Sequence, residues 1–102
     1  MQYDFQTAAI GLTGDALKDE TGKDITFKVV ALNALLGQYD DERSLSGEEK
    51  LKRYRLAGRI SKAEGAIELT IEEAALLKQL VGKAYGSLLY GLVHDFLEGK
   101  AF

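Results

Sequence analysis

The chain has 102 residues, 46% of them apolar and 28% charged, with a formal net charge of -3. That length points to one domain, 1–102, with a modest core burying roughly two-thirds of the unfolded surface, and the apolar share excludes global disorder. The absence of cysteine and the single histidine, His94, exclude a disulfide framework, thiolate catalysis, cysteine-held metal and a multi-histidine centre.

Residues 1–25 read as a strand- or loop-rich segment. Tyr3, Phe5, Ala8, Ile10 and Leu12 give an imperfect period of two, and Gly14-Asp15 marks a turn. The polar stretch from Leu17 to Asp24, with Gly22 inside it, is expected to connect short strands in a hairpin. The amino end has no basic region followed by a continuous apolar run. No stretch reaches the ~20 apolar residues that cross a bilayer, so a cytoplasmic protein away from membranes is expected.

Thr26, in competition with Asp24, is placed to cap a short helix from Phe27 to Leu36, with Phe27, Val30, Ala31, Ala34 and Leu35 at helical spacing and Gly37 as its exit. A charged connection follows. Ser46-Gly47-Glu48-Glu49 and Thr70-Ile71-Glu72-Glu73 each set a hydroxyl three residues before a glutamate, the pattern of a capping box. The first opens a helix over Gly47–Lys62, with Glu48 facing Lys52 and Glu49 facing Arg53 at i,i+4. Leu45, just before the cap, is expected to pack toward Lys50 or Leu51. Gly58 costs about 1 kcal/mol relative to alanine inside that helix, and its small size suits close approach by another helix.

Ala66-Ile67-Glu68-Leu69 alternates as a short strand that needs a partner, either residues 3–12 or another chain. The second cap opens a helix from Ile71 to about Ala84. Ala74, Leu77, Val81 and Ala84 share one face and Leu76 and Leu80 flank it, which suits a central core helix. A last helix runs from Tyr85 or Ser87 to Glu98, with Leu88, Leu89, Leu92, Val93, Phe96 and Leu97 as its apolar stripe and Gly99 at its exit. The final residues fray unless Phe102 docks. The expected fold is therefore mainly α with a small β element (α+β): four short helices around one core, with an N-terminal strand or hairpin pairing with residues 66–69. There is no solenoid period.

No pattern in the chain assembles a reaction. Asp15, Asp19 and Asp24, and likewise Asp40-Asp41-Glu42, lack the ligand ladder and closing glutamate of a calcium loop, while Gly11-Leu12-Thr13-Gly14 has too few glycines for a nucleotide-binding loop. His94 and Asp95 are neighbours on a helix and point about 100° apart, and Ser87 has no oxyanion motif beside it. Glu73 already has a capping role, so Glu72-Glu73 is not an acid–base pair. No enzyme activity, no cofactor and no metal are expected.

The distinctive feature is charge. Gly47–Ala63 carries six basic residues against Glu48 and Glu49, a balance of +4, while the remainder of the chain sums to -7. Lys52, Arg55, Arg59 and Lys62 recur at spacings of three and four. With Tyr54 as an amphipathic anchor, they are the candidate partner-binding residues, and the Ile67–Leu69 edge is a second candidate surface. Tyr54 and Tyr85 read equally as core-edge residues. The stripe reads first as an ordinary solvated helical face; among partners, an acidic protein surface fits it best, and a homo-oligomer is a further option. Nucleic acid fits poorly, because the pI is near 5.1 and no helix-turn-helix context is present.

The segment from Ala31 to Tyr85 resembles an obscure group of short proteins encoded by tailed bacteriophages and prophages, a likeness that covers about residues 20–98. It rests on Ala34-Leu35-Leu36, on Leu45-Ser46-Gly47-Glu48-Glu49-Lys50, and on Leu69-Thr70 followed by Glu73. Tyr85-Gly86 stands where related sequences carry Tyr-Pro. The resemblance implies a small phage or prophage accessory protein in the bacterial cytoplasm, binding a host or phage protein, regulating phage genes or assisting particle assembly. It supplies no catalytic residues.

Overall fold

A computed structural model describes residues 1–99. The order of elements is β1 (Gln2–Tyr3), α1 (Phe27–Leu36), a 3-10 turn (Asp40–Glu42), α2 (Gly47–Lys62), β2 (Ile67–Glu68), α3 (Ile71–Ala84) and α4 (Ser87–Glu98). This is a four-helix, mainly α fold with one two-stranded antiparallel pair, in which Gln2 faces Glu68 and Tyr3 faces Ile67. The expected partner of the 66–69 segment is thus the amino end, although the regular strand is shorter than the alternation of residues 1–13 suggests.

Between β1 and α1 the backbone makes two turns of the same design. Gly11 N–H donates to Asp15 O and Gly14 N–H to Gly11 O; eight residues on, Asp19 N–H donates to Lys23 O and Gly22 N–H to Asp19 O. Gly14 and Gly22 have φ of 87° and 84°, a conformation that glycine adopts without a Cβ penalty. The sequence signal is Thr-Gly at 13–14 and again at 21–22, a short tandem repeat with no hydrophobic periodicity to mark it. It brings Ala9, Leu17 and Ile25 together in a closed cycle of hydrogen bonds, Ala9 N–H to Ile25 O, Ile25 N–H to Leu17 O and Leu17 N–H to Ala9 O, at 2.8–2.9 Å. Asp24 is occupied in an ion pair with Lys18, which leaves Thr26 to accept from Val29 N–H as the cap of α1.

This meander is fastened by aromatics. Phe96 of α4 stacks on Phe27 at 4.2 Å between ring centroids and meets Phe5 edge-on at 5.3 Å, while Tyr3 donates its hydroxyl to Leu97 O at 2.7 Å. Such pairs add about 0.5–1.5 kcal/mol each beyond the area they bury.

Both helix starts form, with a difference. Thr70 and Glu73 complete the reciprocal capping box. Ser46 accepts from Glu49 N–H, but the Glu49 carboxylate turns away toward Lys52 at 3.6 Å and Arg53 Nε at 4.0 Å, so only half the box is made. Leu45 is half-buried, whereas Leu51 faces solvent and does not close over it.

At the centre of the fold α1 packs on both α2 and α3, and α3 in turn carries α4. The third helix is central as expected, and it shares that place with the short, largely apolar α1: each packs on two other helices. The buried face of α3 is Leu77, Leu80 and Val81, while Ala84 is exposed; Leu80 therefore belongs to the core and Ala84 does not. Gly82 lies inside α3 under the Tyr90 ring, 3.3 Å from where a Cβ would sit, and α4 leaves the bend at Gly86. Gly99 ends α4 in the left-handed region, as its position predicts. The expectation for Phe102 lies outside the described residues.

Leu77 and Leu80 are fully enclosed, so Leu77→Ala is expected to cost about 2–5 kcal/mol in urea unfolding. Thr70→Ala should cost about 1 kcal/mol through the lost cap.

Candidate functional site

The basic helix does not present its cations as one stripe. Arg53 is 5% exposed and faces inward with Leu56, Ala57 and Ile60. Its two terminal nitrogens donate to the two carboxylate oxygens of Glu42, each at 2.7 Å, and Lys83 Nζ reaches the same Glu42 at 3.0 Å and Asp41 at 3.1 Å. The bidentate Arg53 bonds, helped by Lys83, hold the Glu42 carboxyl down from 4.5 to about 2. In return Glu42 raises the pKa values of Arg53 and Lys83. Arg53 Nε is left without a hydrogen bond, the Glu49 carboxylate standing 4.0 Å away.

Arg59 is also committed, though exposed. It donates to Glu73, the capping-box glutamate, at 2.5 Å and to Glu68 O at 2.7 Å, tying α2 to β2 and to the start of α3. Lys52 leans on Glu49. The i,i+4 pair expected between Glu48 and Lys52 is replaced by this i,i+3 contact, because Glu49 is drawn to that side of the helix by Arg53.

Lys50, Arg55 and Lys62 remain, with no ion pair among the described residues; Lys50 borders the cleft beside α1, while Arg55 and Lys62 lie on the side of α2 opposite the core. The line down that side runs Glu48, Leu51, Arg55, Gly58, Lys62, at spacings of three and four. Leu51 is 47% exposed and Tyr54, beside the line, 66%, which places Tyr54 on the surface and settles its competing core-edge reading; Tyr85 is the half-buried one, accepting from Asn33 Nδ2 at 3.1 Å. Among the described residues Gly58 has no atom within 4 Å of where a Cβ would sit, so none of the described helices approaches it. Sequence reasoning placed Leu51 in a local staple and did not join it to Arg55, although the three-four spacing was there to be read.

Tyr54 also borders a cleft of about 540 Å³ between the end of α1 and α2, where Leu36, Leu45 and Tyr39 meet Lys50 and Arg53. Across the helix, a groove of about 510 Å³ between α2 and α3 has Leu56 and Leu76 at its base and Glu49, Glu72 and Glu73 on its rim. His94 lies 3.3 Å from Asp95 and near Tyr90, with no nucleophile beside it. Among the described residues no cluster of three or more His, Asp or Glu could hold a metal ion, and no helix is long and apolar enough to cross a membrane.

The chain matches no known protein family, no curated protein and no solved structure.

Glu42→Gln is expected to destabilise the fold by about 3–5 kcal/mol, since it leaves Arg53 buried with its charge uncompensated. Because the Glu42 carboxyl is depressed in the folded state, its contribution is in force above pH 4.5 and is lost as pH falls toward about 2. Unfolding followed from pH 7 to pH 2 should show that acid-sensitive component in the wild type and its absence in Glu42→Gln.

Proposed function

We propose that this chain is a non-enzymatic protein-interaction module, a phage or prophage accessory protein of the bacterial cytoplasm, which binds an acidic partner on the outer face of α2. The observation that carries the reading is the pairing of two uncommitted cations, Arg55 and Lys62, with the exposed apolar surface of Leu51 and Tyr54. These two flank bare apolar area on a helix whose balance is +4. Tyrosine and arginine together are the residue types that dominate protein interfaces. A nucleic-acid backbone would use the cations and leave Leu51 in water, so protein is the better fit. The phage assignment is supported by the resemblance over residues 20–98.

The test is affinity capture from lysate of the bacterial host, treated with nuclease, using the wild-type chain and Arg55→Glu/Lys62→Glu. Neither residue holds the fold, so the variant should keep wild-type stability within about 0.5 kcal/mol. An acidic protein retained at low salt by the wild type and lost by the variant is the expected result. Equal capture by both removes this face from the mechanism. Arg59→Glu is unsuitable as the probe, since it is expected to lower stability through Glu73 and Glu68 whether or not a partner exists.

A further inference from the structure

We infer that the acidic partner includes a second copy of this chain, whose α4 docks head-to-tail on α2. This assignment rests on the α2 face being an interaction surface, and it names the occupant. Packing proceeds from α2 to α1 to α3 to α4, so α2 and α4 are the terminal helices of the order and each turns one side away from the core. The away-facing line of α4 is Leu88, Gly91, Asp95, Glu98.

The two faces fit one another. Their spacing is the same: Glu48, Leu51, Arg55, Gly58 on α2 and Leu88, Gly91, Asp95, Glu98 on α4 both run three, four, three. Laid side by side in the same direction, Leu51 of one copy meets Gly91 of the next, Arg55 meets Asp95 and Gly58 meets Glu98, which falls between Arg55 and Lys62, while Leu88 is level with Glu48, one turn before Leu51. Gly91, like Gly58, has open space at the Cβ position, so nothing among the described residues accounts for a glycine at either mid-helix site. A neighbouring helix does, since each glycine forms a socket for a larger residue opposite it. Charge favours this pairing over α2 against α2, which would set cations on cations; α4 carries Asp95 and Glu98 and no Lys or Arg. Beside these acids stand His94, 3.3 Å from Asp95, and Lys78, 3.0 Å from Glu98, so Arg55 with Asp95 is the leading contact.

Two helices of 16 and 12 residues offer less than a standard interface, which buries about 1,200–2,000 Å². The contact is consequently weak and sensitive to salt. Because its two sides differ, it adds copies until a ring closes or a filament runs on.

Sedimentation of the purified chain at low salt and rising concentration tests this. The wild type should form species beyond a dimer, and Arg55→Glu and Asp95→Arg should each weaken association about tenfold or more. A one-to-one mixture of the two variants should recover it, because each then offers the charge the other needs, and so should the double variant alone. Gly91→Leu fills the socket, is favourable for the helix, and should abolish assembly while leaving the fold at least as stable. A wild type that stays monomeric at millimolar concentration overturns the inference, as does an Asp95→Arg variant that assembles like the wild type. If self-association is absent while Arg55→Glu/Lys62→Glu still loses a captured protein, the α2 surface stands and the second copy as its occupant is rejected.

Discussion

The buried contact of Arg53 with Glu42 governs the arrangement of this small domain. A guanidinium on the core side of a helix must be matched or it is strongly destabilising, and the matching carboxylate comes from the turn that follows α1. Lys83, near the end of α3, completes the match. One carboxylate thereby fixes the α1–α2 connection to α2 and to α3 at once, and it sets the rotation of α2 about its own axis. With Arg53, Leu56, Ala57 and Ile60 facing in, Leu51, Arg55, Gly58 and Lys62 must face out.

That rotation sorts the basic residues into roles that composition alone merges. Arg53 is structural and enclosed. Arg59 is at the surface but ties α2 to the capping glutamate of α3, and Lys52 answers Glu49. Arg55 and Lys62 have no such duty among the described residues, and they share their side of the helix with exposed apolar area and a glycine that no contact among those residues requires. A surface with these properties is costly to keep in a monomer: the glycine gives up helix stability and Leu51 gives up burial.

At the other end of the molecule a different constraint operates. The first 26 residues pair with one another only through isolated antiparallel bridges, and they are held by two turns eight residues apart, closed around Ala9, Leu17 and Ile25, and by the rings gathered on Phe96. Because Phe96 belongs to α4, the amino-terminal segment positions the inward side of that helix. The outward side, with Leu88, Gly91 and Asp95, is what remains.

Local chemistry made the helices legible. Ser46, Thr70 and Gly99 mark their limits by interactions that span four residues or fewer, which is why the bounds of α2, the start of α3 and the exit of α4 follow from the sequence. The pairing of residues 66–69 with the amino end was also readable, because a lone two-residue strand needs a partner and few segments could supply one. Periodicity named the basic helix and most of its apolar face. It did not reveal that Arg53 faces the core, since a cation enters the interior only when a carboxylate distant in sequence is brought to it. Nor did it separate Arg59 from Arg55, because Glu73 and Glu68 reach Arg59 only after α2, β2 and α3 are folded together. The sequence by itself determined where the helices begin and end and which one is basic. The tertiary structure decided which cations are paired inside the fold and which are left at the surface, because charge pairing between separate elements depends on distances that no local pattern encodes.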